Sequence, residues 1–333
     1  MSEGGALQQG LVVAGHGRHC WVEDAHGVRR LCHPRGKKNL AVVGDRVLWQ
    51  PAPGQGQEGS IEQVLPRRNL LYRQDELRTK SFAANLDQVL VLIAAEPVFS
   101  ESQLARALIA AEAAQIRPLI VLNKSDLAEP FARAWERLLP YRTMKDPDAP
   151  GDGSAPTPSD APRYPVLALS LTTQSPEAVR AFLMPYLEGR TTLVLGPSGA
   201  GKSTLVNLLV PGARALTGEV SQALNSGKHT TTSTSWYWVD GDGDGDGARR
   251  TALIDSPGFQ EFGLQHIAPM QLAACMPDIA AHAGACKFYN CTHLHEPGCG
   301  VLQAVGHAGP DGISPSRYKI YKDLFAELSR RRY

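Results

Sequence analysis

At 333 residues, the chain sets 34 Lys and Arg against 33 Asp and Glu, for a formal net charge of +1. That excludes a polycation that coats nucleic acid by bulk charge, so any such affinity must come from local patches. A hydrophobic share of 43% supports ordinary cores in about two to three domains. No apolar run approaches the roughly 20 residues of a membrane span, so no membrane partner is expected. The polar first ten residues lack a basic-then-apolar leader, which points to the cytoplasm. There, six cysteines are unlike disulfides, and four of them fall within residues 275–299.

Residues 11–14, 19–22, 28–32, 46–49 and 59–64 are short β-like runs separated by turn residues. Five such strands suggest a small barrel of the OB type, which commonly binds oligonucleotides. Residues 1–80 hold twelve Lys and Arg against eight Asp and Glu. Arg35, Lys37 and Lys38 cluster in one turn, and Arg67 and Arg68 lie at the exit. They form either an RNA-backbone contact surface or a solvated face.

Residues 88–95 are a continuous apolar run, as expected of a buried parallel strand. A helix is predicted over 100–115, with Ser100 as its cap and Gln103 completing a capping box. A second buried strand, 117–122, ends at Asn123-Lys124-Ser125-Asp126. An N-K-x-D element at a strand's end reads guanine. The Asp126 carboxylate can accept hydrogen bonds from N1–H and the 2-amino group, both of which adenine lacks. Asn123 would touch the purine edge, and the stem of Lys124 would cover its face. Residues 131–139 read as a further helix. Residues 144–163 are a Pro/Gly/Ser/Asp-rich surface insertion. A strand over 166–169 ends at Ser170-Leu171, the place of a second guanine-contact loop, and a helix over 175–187 leads onward.

An apolar run over 191–195 then meets Gly196-Pro197-Ser198-Gly199-Ala200-Gly201-Lys202-Ser203-Thr204, with a helix over 203–209. This is the P-loop pattern in its strand–loop–helix context. Glycines let successive N–H groups curl toward phosphate oxygens. The helix N-terminus adds partial positive charge. Lys202 would reach the β- and γ-phosphates and Ser203 would hold Mg²⁺. A polar stretch over 218–234 contains Gly227-Lys228-His229-Thr230-Thr231-Thr232. Strands are predicted over 236–239 and 251–254. The repeat at 240–247 resembles half a calcium loop, but it lacks the closing Glu and flanking helices and reads as a turn. The second strand ends at Asp255-Ser256-Pro257-Gly258. In this D-x-x-G element Asp255 would hold Mg²⁺ through water and the Gly258 N–H would meet the γ-phosphate. Thr231 or Thr232 would complete the Mg²⁺ shell.

Further on, Cys286, Cys291, His293 and Cys299 supply three thiolates and an imidazole. That is a closed set for one structural Zn²⁺, with His295 as an alternative nitrogen ligand. Cys275 lies too far upstream and reads as a core thiol. A last helix is predicted over 316–333, ending in Arg330-Arg331-Arg332. Those cations suit the helix dipole or an rRNA phosphate.

Ordinary small GTPases carry the P-loop first and N-K-x-D near the end. Here N-K-x-D comes first, so the order is circularly permuted. In Asn85 to Gln88, Asn123 to Asp126, Gly196 to Thr204, Gly227 to Thr232, Asp255 to Phe259 and the cysteine segment, the chain resembles the ribosome small subunit-dependent GTPase A family. The resemblance implies an α/β fold with an N-terminal OB barrel (1–80), a permuted P-loop GTPase domain (81–262) and a zinc-binding, mainly helical domain (263–333). It implies a monomer that binds GTP and GDP, meets the small ribosomal subunit and its rRNA, and acts late in maturation of that subunit. It also favours His293 at zinc. Phe259 stands where Ras-like enzymes place the glutamine that orients water. The residues and the resemblance both point to His229 as the catalytic replacement. The alternative is an rRNA-binding assembly factor in which GTP is mainly a structural ligand.

Overall fold

A computed structural model describes residues 7–16, 19–35, 40–52, 58–74, 79–146, 162–213, 234–239, 250–256, 262–307, 309 and 312–330. They divide into two compact units. One gathers residues 1–72, 80–90 and 171–260, and the other 73–79, 91–170 and 261–333.

The first unit begins with β1 (Gln8–His16), β2 (His19–Glu23), β3 (Arg29–Pro34), β4 (Arg46–Pro51) and β5 (Glu58–Val64). All five expected strands are present, each lengthened by one to five residues. β1 pairs with both β2 and β4, and β3 runs parallel to β5, so the sheet closes in the order β1-β2-β3-β5-β4. This is the five-stranded Greek-key barrel of an OB fold. Its core is Val12, Cys20, Val22, Cys32, Val47, Trp49 and Ile61. Cys20 and Cys32 face each other across β2 and β3, and burial pushes their thiols up to about 11 and about 12, so they act as core groups. At Gly10, an added Cβ would come within 2.4 Å of Val22 Cγ1, so β1 crosses the core only as glycine.

Three of the basic barrel residues singled out by charge are paired with acids. Arg67 forks onto the fully buried Asp45 at 2.7 and 2.8 Å. Arg35 pairs with Glu62 and Arg68 with Asp87. Charge counting could not see these pairs, because each joins residues 19 or more apart in sequence. Lys37 and Lys38 lie outside the described residues.

Beyond the barrel, this unit holds the start of β8 (Gln88–Ala94), then β11 (Thr191–Leu195), β13 (Ala252–Asp255) and β12 (Ser235–Trp238), in the order β8-β11-β13-β12-β1. β11 and β13 are parallel, as their fully buried sequences demand. β12 is antiparallel to β13 and joins β1 at Ala14↔Ser235. Trp238 Nε1 donates to Glu23 Oε1 at 2.7 Å beside that junction. Two helices belong here, α4 (Pro176–Leu187), capped by Ser175, and α5 (Lys202–Leu209). β6 (Leu70–Gln74) and β7 (Thr79–Ala84) form a separate two-stranded sheet. Their sequences carry no clean alternation, which is why patterning misses them.

The second unit holds the end of β8, then β9 (Arg117–Asn123) and β10 (Val166–Ala168), in the order β10-β9-β8. Helix α1 (Glu101–Ala113) begins at the expected cap, with Ser100 Oγ accepting from Gln103 N at 3.3 Å. Helices α2 (Ala128–Arg137) and α3 (Leu139–Arg142) follow. The C-terminal part folds as α6 (Pro277–Ala283), α7 (Gly300–Ala304) and α8 (Pro315–Leu328). The last helix stops before Arg330, and residues 331–333 lie outside the described set. α6 and α7 span two turns or fewer, too short for a helical period to register. α8 is fastened to α1 by the Arg106–Glu327 ion pair and by Ser316 Oγ donating to Glu101 at 2.9 Å. Arg317, 1% exposed, forks onto Asp278 at 2.7 and 2.8 Å and lies 4.9 Å over the ring of buried Tyr141. No described helix is long and apolar enough to cross a membrane.

Candidate functional site

In the first unit the phosphate loop leaves the end of β11. Gly199 and Gly201 take φ of +81° and +100°. Those are values that side-chain-bearing residues rarely adopt. Gly201 is the N-cap of α5, and no side chain caps that helix. Its first-turn N–H groups therefore suit an anion. Gly196 and Ala200 are buried, Pro197 is half-buried, and Ser198, Ser203 and Thr204 are exposed. Asp255 stands at the end of β13, in register with Val194 of β11. Its carboxylate forms an ion pair with the Lys202 ammonium, and each side chain is about a tenth exposed. Ser256 Oγ donates to Val194 O at 3.2 Å and ties the two strand ends together. The structure thus brings together the lysine expected at phosphate and the aspartate expected near Mg²⁺. His229, Thr231, Thr232 and Gly258 lie outside the described residues, as do Phe259 and the 240–247 repeat.

In the second unit Asn123 closes β9 with its side chain buried, and its Oδ1 accepts from Lys124 N at 2.7 Å. Lys124 takes φ of +67°, which turns the chain sharply at the strand end. Ser125 N donates to Leu169 O at 3.1 Å, joining this turn to the one after β10. Asp126 is exposed, and its Oδ1 accepts from buried Ser170 Oγ at 2.5 Å. Ser170, expected from its place at the strand's end, is therefore a side-chain anchor for the expected guanine carboxylate. Leu171, half-buried, opens the next segment of the first unit.

The third constellation is Cys286, Cys291, His293 and Cys299, whose ligand atoms all lie within 4.8 Å of one another. Cys286 and Cys299 Sγ are 3.8 Å apart, and each lies 3.4 or 3.5 Å from His293 Nδ1. A tetrahedron with Zn–S bonds near 2.3 Å has edges of roughly 3.8 Å, so the donor set fits that ion. The electrostatics fit as well. Burial opposes ionisation of Cys286, but hydrogen bonds from the Val301 and Gly300 N–H groups and from the Cys299 and Cys291 thiols together hold that thiol below its ordinary value. Burial pushes the Cys291 thiol up to about 12, so a cation is what would make it a thiolate. Burial also lowers the His293 pKa, favouring the neutral ring a metal needs. His295, the open alternative, is exposed and outside the cluster. Cys275 is half-buried and apart from it.

The scaffold of this cluster was not foreseen. Glu296 accepts from Thr292 N at 2.9 Å and Leu294 N at 3.2 Å, and also bonds the Thr292 hydroxyl. Against the opposing effect of burial, these bonds hold its carboxyl well below the usual carboxylate range. From α8, Tyr318 OH donates to His293 O at 2.8 Å and Tyr321 OH to Thr292 O at 2.9 Å. His293 itself takes φ of +60°. Only the acid three residues after the histidine offered a local signal. The tyrosines lie 25 and 29 residues away and offered none.

Comparison with known proteins agrees with this geometry. The family model described as RsgA GTPase matches residues 64–145 and 158–265. The Small ribosomal subunit biogenesis GTPase RsgA of Variovorax paradoxus (strain S110) is 67% identical over 98% of this chain and 94% of its own. The protein of the same name from Burkholderia pseudomallei (strain K96243) is 47% identical over 99% and 95%. Among solved structures, YjeQ from Thermotoga maritima superposes with a TM-score of 0.68 at 30% identity, covering 98% of this chain and 100% of that one. YloQ, described as a circularly permuted GTPase, gives 0.65 at 25% identity, with 99% and 98% covered.

Proposed function

The chain belongs to the RsgA GTPase family, and from that premise we propose how it works as a small ribosomal subunit biogenesis GTPase. It hydrolyses GTP to GDP and phosphate. The observation that carries the reading is the Lys202–Asp255 pair at the ends of adjacent parallel strands, beside a loop whose glycines take positive φ.

Asp126 accepts from N1–H and the 2-amino group of guanine, and Ser170 fixes the carboxylate's direction. Asn123 and Lys124 border the base, and Leu171 closes the second loop. The backbone of residues 196–204 wraps the phosphates, and the Lys202 ammonium exchanges Asp255 for phosphate oxygens of the nucleotide. Ser203, with Asp255 through water and Thr231 or Thr232, would hold Mg²⁺, which would supply charge neutralisation at the phosphates. Gly258 N–H meets the γ-phosphate, and His229 orients the attacking water. Cys286, Cys291, His293 and Cys299 would hold one Zn²⁺ per chain, which would organise the C-terminal segment without taking part in the chemistry.

The division into an OB barrel (1–80), a GTPase domain (81–262) and a zinc domain (263–333) is part of the same reading. So are action as a monomer in the cytoplasm, rRNA as the contacted surface and stimulation of turnover by the small subunit. GTP turnover titrated with purified small subunits tests it, and a steep rise is expected. A flat titration would return GTP to the status of a structural ligand. In the same assay His229→Ala keeps GTP binding and loses most subunit-stimulated hydrolysis, and unchanged turnover rejects the role of that histidine.

A further inference from the structure

Between the first two metal-cluster cysteines the chain reads Lys287-Phe288-Tyr289-Asn290, and all four residues are exposed. Tyr289 is 102% exposed and Phe288 40%. Two adjacent aromatic rings held in water are unusual for side chains that ordinarily pack. Leu40 and Val98 are also exposed but aliphatic, and Phe182, 42% exposed on α4, is a single ring with no exposed aromatic next to it in sequence.

This short span is not loose. Cys286 and Cys291 end it, and both belong to the metal cluster. Lys287 N donates to Gly298 O at 2.9 Å, and Cys291 N to Phe288 O at 3.2 Å. Gly298, at φ +73°, passes so close that a Cβ there would meet Lys287 Cβ at 3.2 Å. The rings are thus carried on a clamped turn, with little ordering entropy left to lose on binding.

A cation stands beside the rings. Lys287 Nζ lies 5.6 Å from the centre of the Phe288 ring. No acidic residue stands between Cys286 and Cys291. The acid next along, Glu296, is turned inward onto backbone N–H groups.

We infer that Phe288 and Tyr289 form a stacking platform for unpaired nucleobases of RNA, with Lys287 receiving a flanking phosphate. Aromatic rings beside cations suit single-stranded RNA, because every base has a face to stack and every nucleotide a charge to neutralise. The Asn290 amide can pair with a base edge. This rests on the ribosomal reading above and assigns one of its contact surfaces.

The test uses the full-length, metal-loaded chain. Tyr289→Ala and Tyr289→Trp are compared with wild type in two arms: co-sedimentation with small subunits, and anisotropy with a mixed-sequence single-stranded RNA of about twelve nucleotides. Metal content and GDP binding serve as controls for folding. Tyr289→Ala is expected to lose roughly five- to a hundredfold in affinity in both arms, and Tyr289→Trp to restore it. The salt dependence of binding stays as in wild type for Tyr289→Ala and becomes shallower for Lys287→Ala. Unchanged RNA affinity in Tyr289→Ala overturns the inference. Loss confined to the subunit arm also overturns it, since the rings would then face protein. Wild-type stimulation of turnover by subunits, kept alongside either result, leaves the wider reading standing.

Discussion

The phosphate loop orders itself with its own backbone. Gly199 and Gly201 supply the turns, β11 supplies the platform, and α5 supplies the oriented N–H groups. The metal cluster is ordered by others. Its four ligands are aimed by Glu296 from within the loop and by Tyr318 and Tyr321 from α8. A backbone-built site fails locally when a glycine is replaced. A side-chain-built site is spread over a helix and fails when any part of that helix lets go. In the proposed zinc reading, moreover, its principal bond is to an ion the chain must acquire.

Removing that ion breaks the comparison at its widest point. Structural zinc in small domains contributes about 10 kcal/mol or more of apparent binding energy to folding. Chelation should therefore release the 286–299 loop, and with it the hold on α8. Hydrogen exchange is expected to rise sharply across 286–304 and 315–328 while the barrel strands stay protected. Metal analysis should give one Zn per chain beforehand. A chain that holds no zinc, or whose α8 protection survives chelation, would show that the helix orders the loop unaided.

The next effect concerns how α8 is anchored. Arg317 is buried against Asp278, and its charge is tolerable only because that carboxylate meets it. Asp278→Ala leaves an uncompensated buried guanidinium and should cost about 3–5 kcal/mol. Thermal or denaturant unfolding measures it, with Arg317→Met and Asp278→Leu together as the control. That double replacement is expected to recover much of the loss, because an ion pair exchanged for apolar volume is often nearly neutral.

Gly201→Ala probes the other site. At φ +100° an alanine is strained by about 1–3 kcal/mol. Because the strain falls on the turn into α5, GDP affinity should drop by more than tenfold with little change in protection of α8. Equal loss in both places would mean that the loop is not the self-contained element its geometry indicates.

How much of this was legible follows the same divide. The N-K-x-D, P-loop and Cys₃His patterns are local, and each fixed position does its work within a few residues. The barrel was legible because its strands are punctuated by turns. The Arg67–Asp45 pair was not legible because Asp45 comes from a different strand connection. The β6–β7 pair went unseen because Leu70–Gln74 has no period-two alternation. Ser170 shows the middle case. Its position was readable from strand order, but its bond to Asp126 depends on how β9 and β10 pair.

The finest test of the divide is Tyr318→Phe. The change keeps the ring, its contact with Lys322 and its packing on Tyr321. It removes one hydroxyl that donates to the His293 carbonyl at 2.8 Å. One buried hydrogen bond contributes about 1 kcal/mol net, so zinc affinity measured against a competing chelator should fall by roughly fivefold. Tyr321→Phe removes the neighbouring bond to Thr292 and should behave alike. Because both hydroxyls hold the same turn, the double variant should lose less than the two single losses added together. Strict additivity would mean that the two tyrosines steady separate residues, and the loop would then be less of a unit than its shared anchor on α8 implies.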